Sequence, residues 1–223
     1  MALHREGQLD RAEAAYRGVL ARTPDQPDAI HLLGVVLCQR GRAEEALALI
    51  DRAIATGGEM PPYLSSRGIA LRTLGRLDES IVSYRRAIAR APDFADAHMN
   101  LANALLDKGE AAAAAAAYER ALALNPGSAA AWLNLAQARK AEGRIDDARR
   151  AIERALPLAP GNAQARRTLG EVALAAGDLV AAEAAFREAT TLSPGDSAAW
   201  DGLGVALQKL LRLEEAILAH RRA

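Results

Sequence analysis

The chain has 223 residues, with 28 Lys plus Arg against 28 Asp plus Glu, so its formal net charge is zero. A neutral chain lacks the concentrated positive surface that nucleic acid or an anionic membrane rewards, which argues against both as main partners. One cysteine, Cys38, leaves no intrachain disulfide and permits an intracellular home.

Taken in order, the chain opens on MALHREGQLD, which has no apolar signal core. The longest apolar run, Ala111 to Ala117, is too short and too weakly apolar to span a bilayer. A soluble, cytoplasmic protein is expected, with a secreted parent whose signal has been removed left open. Arg far outnumbers Lys (Lys108, Lys140 and Lys209) and Ala is abundant, a bias that GC-rich bacterial genomes produce and that carries no functional weight.

Six glycines, Gly7, Gly41, Gly75, Gly109, Gly143 and Gly177, recur every 34 residues, a register that chance does not hold. Two turns upstream of the bends sit Gly34, Gly68, Ala102, Ala136, Gly170 and Gly204. Five residues after them come Ala12, Ala46, Ser80, Ala114, Ala148, Ala182 and Ala216. Small residues at these places let two helix backbones approach closely. Tyr16, Tyr84, Tyr118 and Phe186, with Trp132 and Trp200 from the first helices, are expected to fill the gaps beside them. Pro24, Pro92, Pro126, Pro160 and Pro194 follow the second helices, and the bend glycines supply left-handed helix ends. Acidic pairs such as Glu44-Glu45 and Asp146-Asp147 open second helices, and Arg85, Arg86, Arg120 and Arg154 lie later, both favourable to the helix dipole. These charges are read as a solvated outer face.

The predicted fold is all-α, a solenoid of antiparallel helix pairs. Complete units are expected at 27–60, 61–94, 95–128, 129–162 and 163–196, with partial units at 1–26 and 197–223. The last unit stops inside a second helix, which reads as part of a longer protein, or else as a frayed or self-associated end. Several places break the pattern, among them Gly57-Gly58, which replaces the exit proline of the first complete unit. Pro157 removes a backbone donor and is expected to cut its helix short. Leu211 occupies a glycine bend, where a left-handed Leu costs roughly 1 kcal/mol, so a differently built bend is expected. Arg67, Arg139 and Arg166 fall at usually apolar places and are expected to snorkel or to pair with carboxylates.

The spacing of small, large, glycine and proline residues resembles the tetratricopeptide repeat family over essentially the whole chain. The resemblance implies a right-handed solenoid whose first helices line a concave groove for a protein or peptide partner. Inward-facing offsets then give an uncharged, mildly polar strip. Its candidate partner-binding residues are His31, Ser66, Met99, Asn100, Asn103, Asn134, Gln137, Arg167 and Thr168, beside Val35, Ser65, Ile69, Leu133 and Glu171. Asn100 and Asn134 hold the same place in MNLAN and LNLAQ. An amide offers a donor and an acceptor edge to a peptide group. Helices packed about 10 Å apart would space the two by roughly three residues of extended peptide at about 3.3 Å each. This is similar to the asparagine ladder of O-linked N-acetylglucosamine transferases, although Leu32, Ser66, Thr168 and Gly202 interrupt it elsewhere. A chaperone-type carboxylate clamp, which needs converging cations, does not fit Met99, Asn103, Asn134, Gln164 and Thr168.

His4, His31, His98 and His220 are scattered without metal spacing, and no phosphate-binding or nucleophile motif occurs. Cys38 has no evident base and reads as inert or mildly exposed. No cofactor and no catalysis by this chain alone are expected. Three functions remain: a protein–protein interaction module, the substrate-recognition arm of a larger glycosyltransferase- or sulfotransferase-linked enzyme, and a scaffold that self-associates through its uncapped ends. The opening G-x-L-x-x-A-E-x-x-Y, followed by Asp28 to Gly34, carries the similarity to such enzyme-linked repeats.

Overall fold

A computed structural model describes residues 7–223. His4 and most of the segment read for a leader lie outside the described residues. Among these there are thirteen helices and no strand. In chain order they are α1 (Leu9–Arg22), α2 (Pro27–Gln39), α3 (Ala43–Gly57), α4 (Pro61–Thr73), α5 (Leu77–Arg90) and α6 (Ala95–Asp107). Then follow α7 (Ala111–Leu124), α8 (Ala129–Ala141), α9 (Ile145–Leu158), α10 (Ala163–Ala175), α11 (Leu179–Leu192), α12 (Ser197–Lys209) and α13 (Leu213–His220). They form two compact units, one ending at Glu110 and one starting at Ala111.

Within each unit consecutive helices pack on one another. The even-numbered first helices also touch the first helix of the next pair: α2 with α4 and α4 with α6 in one unit, α8 with α10 and α10 with α12 in the other. Each unit therefore carries a continuous face of first helices. Four of these start on a side chain that accepts the N–H three residues on, namely Gln26, Ser128, Asn162 and Asp196. Such a cap is worth about 1 kcal/mol.

The bends end their helices in a common way. At Gly41 the chain turns left-handed, with φ 76°. The Gly41 N–H bonds to the Cys38 carbonyl at 3.0 Å and the Arg42 N–H reaches back to Leu37 at 2.9 Å. This pair of bonds satisfies carbonyls that the helix leaves open at its C-terminus. Leu211 does the same. Its φ is 62°, and its bend shows the equivalent bonds, Leu211 N–H to Gln208 and Arg212 N–H to Leu207, both at 3.0 Å. The expectation of a differently built bend is corrected: the packing on either side holds the register and the strain is carried by Leu211.

Pro157 is a second correction. Helix α9 continues through it to Leu158. Pro157 and Glu153, whose carbonyl would have received the missing N–H, are both exposed, so the lost bond falls on the solvent side of the helix rather than in the core. The core follows the predicted small-to-large pairing, with Ala46, Ala114, Ala148 and Ala182 fully buried and Tyr84, Tyr118 and Phe186 at most 1% exposed. Arg67, Arg139 and Arg166 pair with Asp51, with Glu119 and Glu142, and with Glu188.

Candidate functional site

In the first unit, α2 and α4 are joined by polar bonds from residues one turn apart on each helix. Asp28 and His31 face Tyr63 and Ser66. The Tyr63 hydroxyl donates to Asp28, and His31 Nε2 lies 2.8 Å from Ser66 Oγ. The His31 and Tyr63 rings are 4.6 Å apart at 37°. His31 is buried, and burial, only partly offset by the Asp28 charge, lowers its pKa to about 4, so the ring is neutral near pH 7. Burial first, and the bond to Asp28 second, push the Tyr63 hydroxyl up to about 12. His31 thus braces two first helices.

Beside Ser66 a cleft of about 220 Å³ opens between Val35, Cys38 and Gln39 of α2 and Ser66, Ile69 and Thr73 of α4, with Ile50 behind. Ile69 is 42% exposed. Burial raises the Cys38 pKa against a hydrogen bond from Thr73, which suits an unreactive thiol. The cleft offers an apolar wall with a rim of hydroxyl and amide groups, a shape for an apolar side chain and its flanking backbone. Met99, Asn100 and Asn103 are half-buried on α6 of the same unit.

In the second unit Asn134 and Gln137 are half-buried on α8. Two corrections apply there. The strip is charged: Glu171 pairs with both Lys140 and Arg167, and Arg167 lies 3.1 Å from Asp196. Thr168 is 1% exposed and offers no surface to a partner, because its turn of α10 faces the helix contact. Asn100 belongs to the first unit and Asn134 to the second.

Trp132 and Trp200 are half-buried, and Trp200 packs against the core cluster that includes Phe186, Leu203 and Ala216. Their indole N–H groups donate to the Pro126 and Pro194 carbonyls at 2.9 and 2.8 Å. His98 holds the same place and its Nε2 lies 2.9 Å from the Pro92 carbonyl. This repeated clasp of a first helix to the preceding proline loop was missed in the sequence. The signal was present as an aromatic N–H donor six residues after an exit proline.

Among the described residues there is no group of three or more His, Cys, Asp or Glu side chains arranged to hold a metal ion, and no helix is long and apolar enough to cross a membrane.

A sequence profile described as Tetratricopeptide repeat matches residues 3–65 and 105–172; two others with that description match 66–129 and 163–188. The chain is 56% identical over 46 residues to cellulose synthase operon protein C of Pseudomonas fluorescens, a match spanning 21% of this chain and 4% of that protein. Among solved structures, PilF of Pseudomonas aeruginosa aligns with a TM-score of 0.77 at 20% identity, over 95% of this chain and 92% of that one. YrrB, described as a TPR protein with an unusual peptide-binding site, aligns with a TM-score of 0.67 at 18% identity, over 83% of this chain and 95% of that one. At these identities the structural matches establish the fold.

Proposed function

We propose, given that the chain belongs to the tetratricopeptide repeat family, that it is a protein-interaction module holding an extended partner segment on its first-helix faces. The repeat fold and its relatives support an interaction or scaffold role. The observation that carries the finer reading is the cleft between α2 and α4, apolar at Val35 and Ile69 and polar at Ser66, Gln39 and Thr73. An apolar side chain of the partner enters there. Amides such as Asn100 and Asn103 meet its backbone in the first unit, where Met99 and the His31–Ser66 brace shape the surroundings; Asn134, Gln137 and Arg167 offer the second unit's own first-helix face to a segment. The peptide-binding site described for YrrB is a precedent for this use of the fold.

The test is fluorescence anisotropy with a labelled peptide selected on the chain. The double change Asn100→Ala with Asn134→Ala is expected to weaken binding several-fold while far-ultraviolet circular dichroism stays the same. Unaltered affinity would remove the amides from the reading.

A second reading, a scaffold that self-associates, is favoured by α13, whose Leu213, Ile217 and Leu218 are 56%, 53% and 59% exposed. Light scattering over a concentration series decides it, and a strict monomer removes it. The match to a much longer cellulose synthase operon protein favours, in the same way, a role as the docking region of a larger polypeptide.

A further inference from the structure

A groove on the second-helix side of the second unit has a cation that the repeat leaves without its usual partner. Arg52, Arg86, Arg120 and Arg154 stand in one column of the 34-residue register. In the first unit that guanidinium is answered from the preceding loop: Arg52 binds Asp25 at 2.7 Å, and Arg86 binds Glu59. The matching loop position before Arg154 is Gly127, and Arg154 has no ion pair or hydrogen bond among the described residues. Beside Arg154 a cavity of about 630 Å³ opens. Trp132 floors it, with Pro126, Pro157 and the 47%-exposed Leu158 as apolar walls.

The last unit shows what such a site does when it closes on itself. Arg222, in the column of Arg154, places its guanidinium carbon 5.0 Å from the Trp200 ring centroid. Trp132 keeps its place on an open cavity. Arg150 shares Asp147 with Arg144, which also lies 3.8 Å from Glu142, so the neighbouring arginines are answered within the chain and Arg154 is the one left to a ligand.

We propose that this groove binds an acidic extended segment of a partner protein. A carboxylate of the segment pairs with Arg154 where Asp25 and Glu59 serve the earlier arginines, and a neighbouring apolar side chain lies on Trp132 between Pro126, Pro157 and Leu158. A charge-assisted bond shielded by apolar walls supplies specificity that an exposed ion pair lacks. Glu153 on the rim opposes the acid and sets the side from which it enters. The groove lies apart from the first-helix face and does not depend on the function proposed for that face.

With two tryptophans in the chain, the indole N–H resonances of a nitrogen-15-labelled sample separate the sites. The probe is a short synthetic peptide of alternating Asp and Leu, with its Asn and Leu counterpart as control. The acidic peptide is expected to move the Trp132 resonance and leave Trp200 in place, with little response to the control. Arg154→Ala is an exposed change that leaves folding intact, and it should weaken binding by about tenfold or more. Gly127→Asp should weaken it similarly by supplying the missing acid internally; a Cβ at Gly127 meets only Asn125 Oδ1, at 3.7 Å. Glu153→Gln should tighten it. A Trp132 resonance that ignores the acidic peptide at millimolar concentration overturns the proposal. So does an equal response to the control or to inorganic phosphate, or one that persists in Arg154→Ala. A shift that grows with protein concentration in the absence of peptide assigns the groove to a second copy and overturns it as well.

Discussion

Tyr84 fills the space that a side chain on Gly68 would need: a Cβ on Gly68 would sit 2.5 Å from the Tyr84 ring. Both residues are buried, so neither α4 nor α5 can yield without opening the pair. Gly68→Ala is therefore expected to destabilise the protein by about 1–3 kcal/mol through overpacking, measured by urea unfolding. Gly18, inside α1, has nothing within 4 Å of its Cβ position, and Gly18→Ala should instead stabilise by about 0.4–1 kcal/mol.

Leu211 gives a prediction of the opposite sense for a glycine. It is 82% exposed and left-handed, with φ 62°. Leu211→Gly gives up little burial and releases a conformation that costs about 1–2 kcal/mol for a residue with a Cβ. A net gain of about 1 kcal/mol is expected, reduced somewhat by the greater freedom of glycine in the unfolded chain. Thermal unfolding of the pair checks it, and a loss of stability would mean that Leu211 makes contacts its exposure hides.

The clasp from Trp132 to the Pro126 carbonyl predicts that Trp132→Phe, which keeps an aromatic ring and deletes the N–H, costs about 0.5–1.5 kcal/mol. Hydrogen exchange should rise at the start of α8 in that variant. Equal stability would show that water replaces the indole without loss.

His31 predicts a pH dependence with a definite sign. Its folded pKa, about 4, lies below the ordinary value of 6.5. Between these values the unfolded chain binds the proton and the folded chain does not, so stability falls as pH falls through that window and levels off below it. The stability difference between the wild type and His31→Gln should shrink by up to about 3 kcal/mol from pH 7 to pH 4. A difference that stays constant across that range would show that the ring is not buried as a neutral group.

Much of the fold was legible because its determinants are local. Gly41 needs a left-handed turn, and Gly68 needs closeness to Tyr84; both are properties of one residue and its register. Pro157 was misread because helix breaking depends on which face the lost donor serves, and an exposed face tolerates it. Thr168 was misassigned because one step of helical phase separates the partner-facing side from the pair contact. The cleft was legible in part, through Val35, Ser66 and Ile69. Its Cys38, Gln39 and Thr73 walls required the approach of α2 to α4. The groove at Trp132 was illegible for a different reason: the lack of an acid at Gly127 gains meaning only beside the Arg52–Asp25 and Arg86–Glu59 pairs.

The most direct test maps where a partner segment binds. Peptides are selected from a random library on the Arg154→Ala variant, which disables the second groove, and amide shift changes are recorded on the labelled protein. Binding through the first-helix face predicts changes around Val35, Ser66 and Ile69 of α2 and α4, with affinity falling by about tenfold or more in Ile69→Asp, since a charge cannot enter an apolar cleft without loss of its hydration. Changes confined to the second helices, with Ile69→Asp binding as well as the parent, would contradict it.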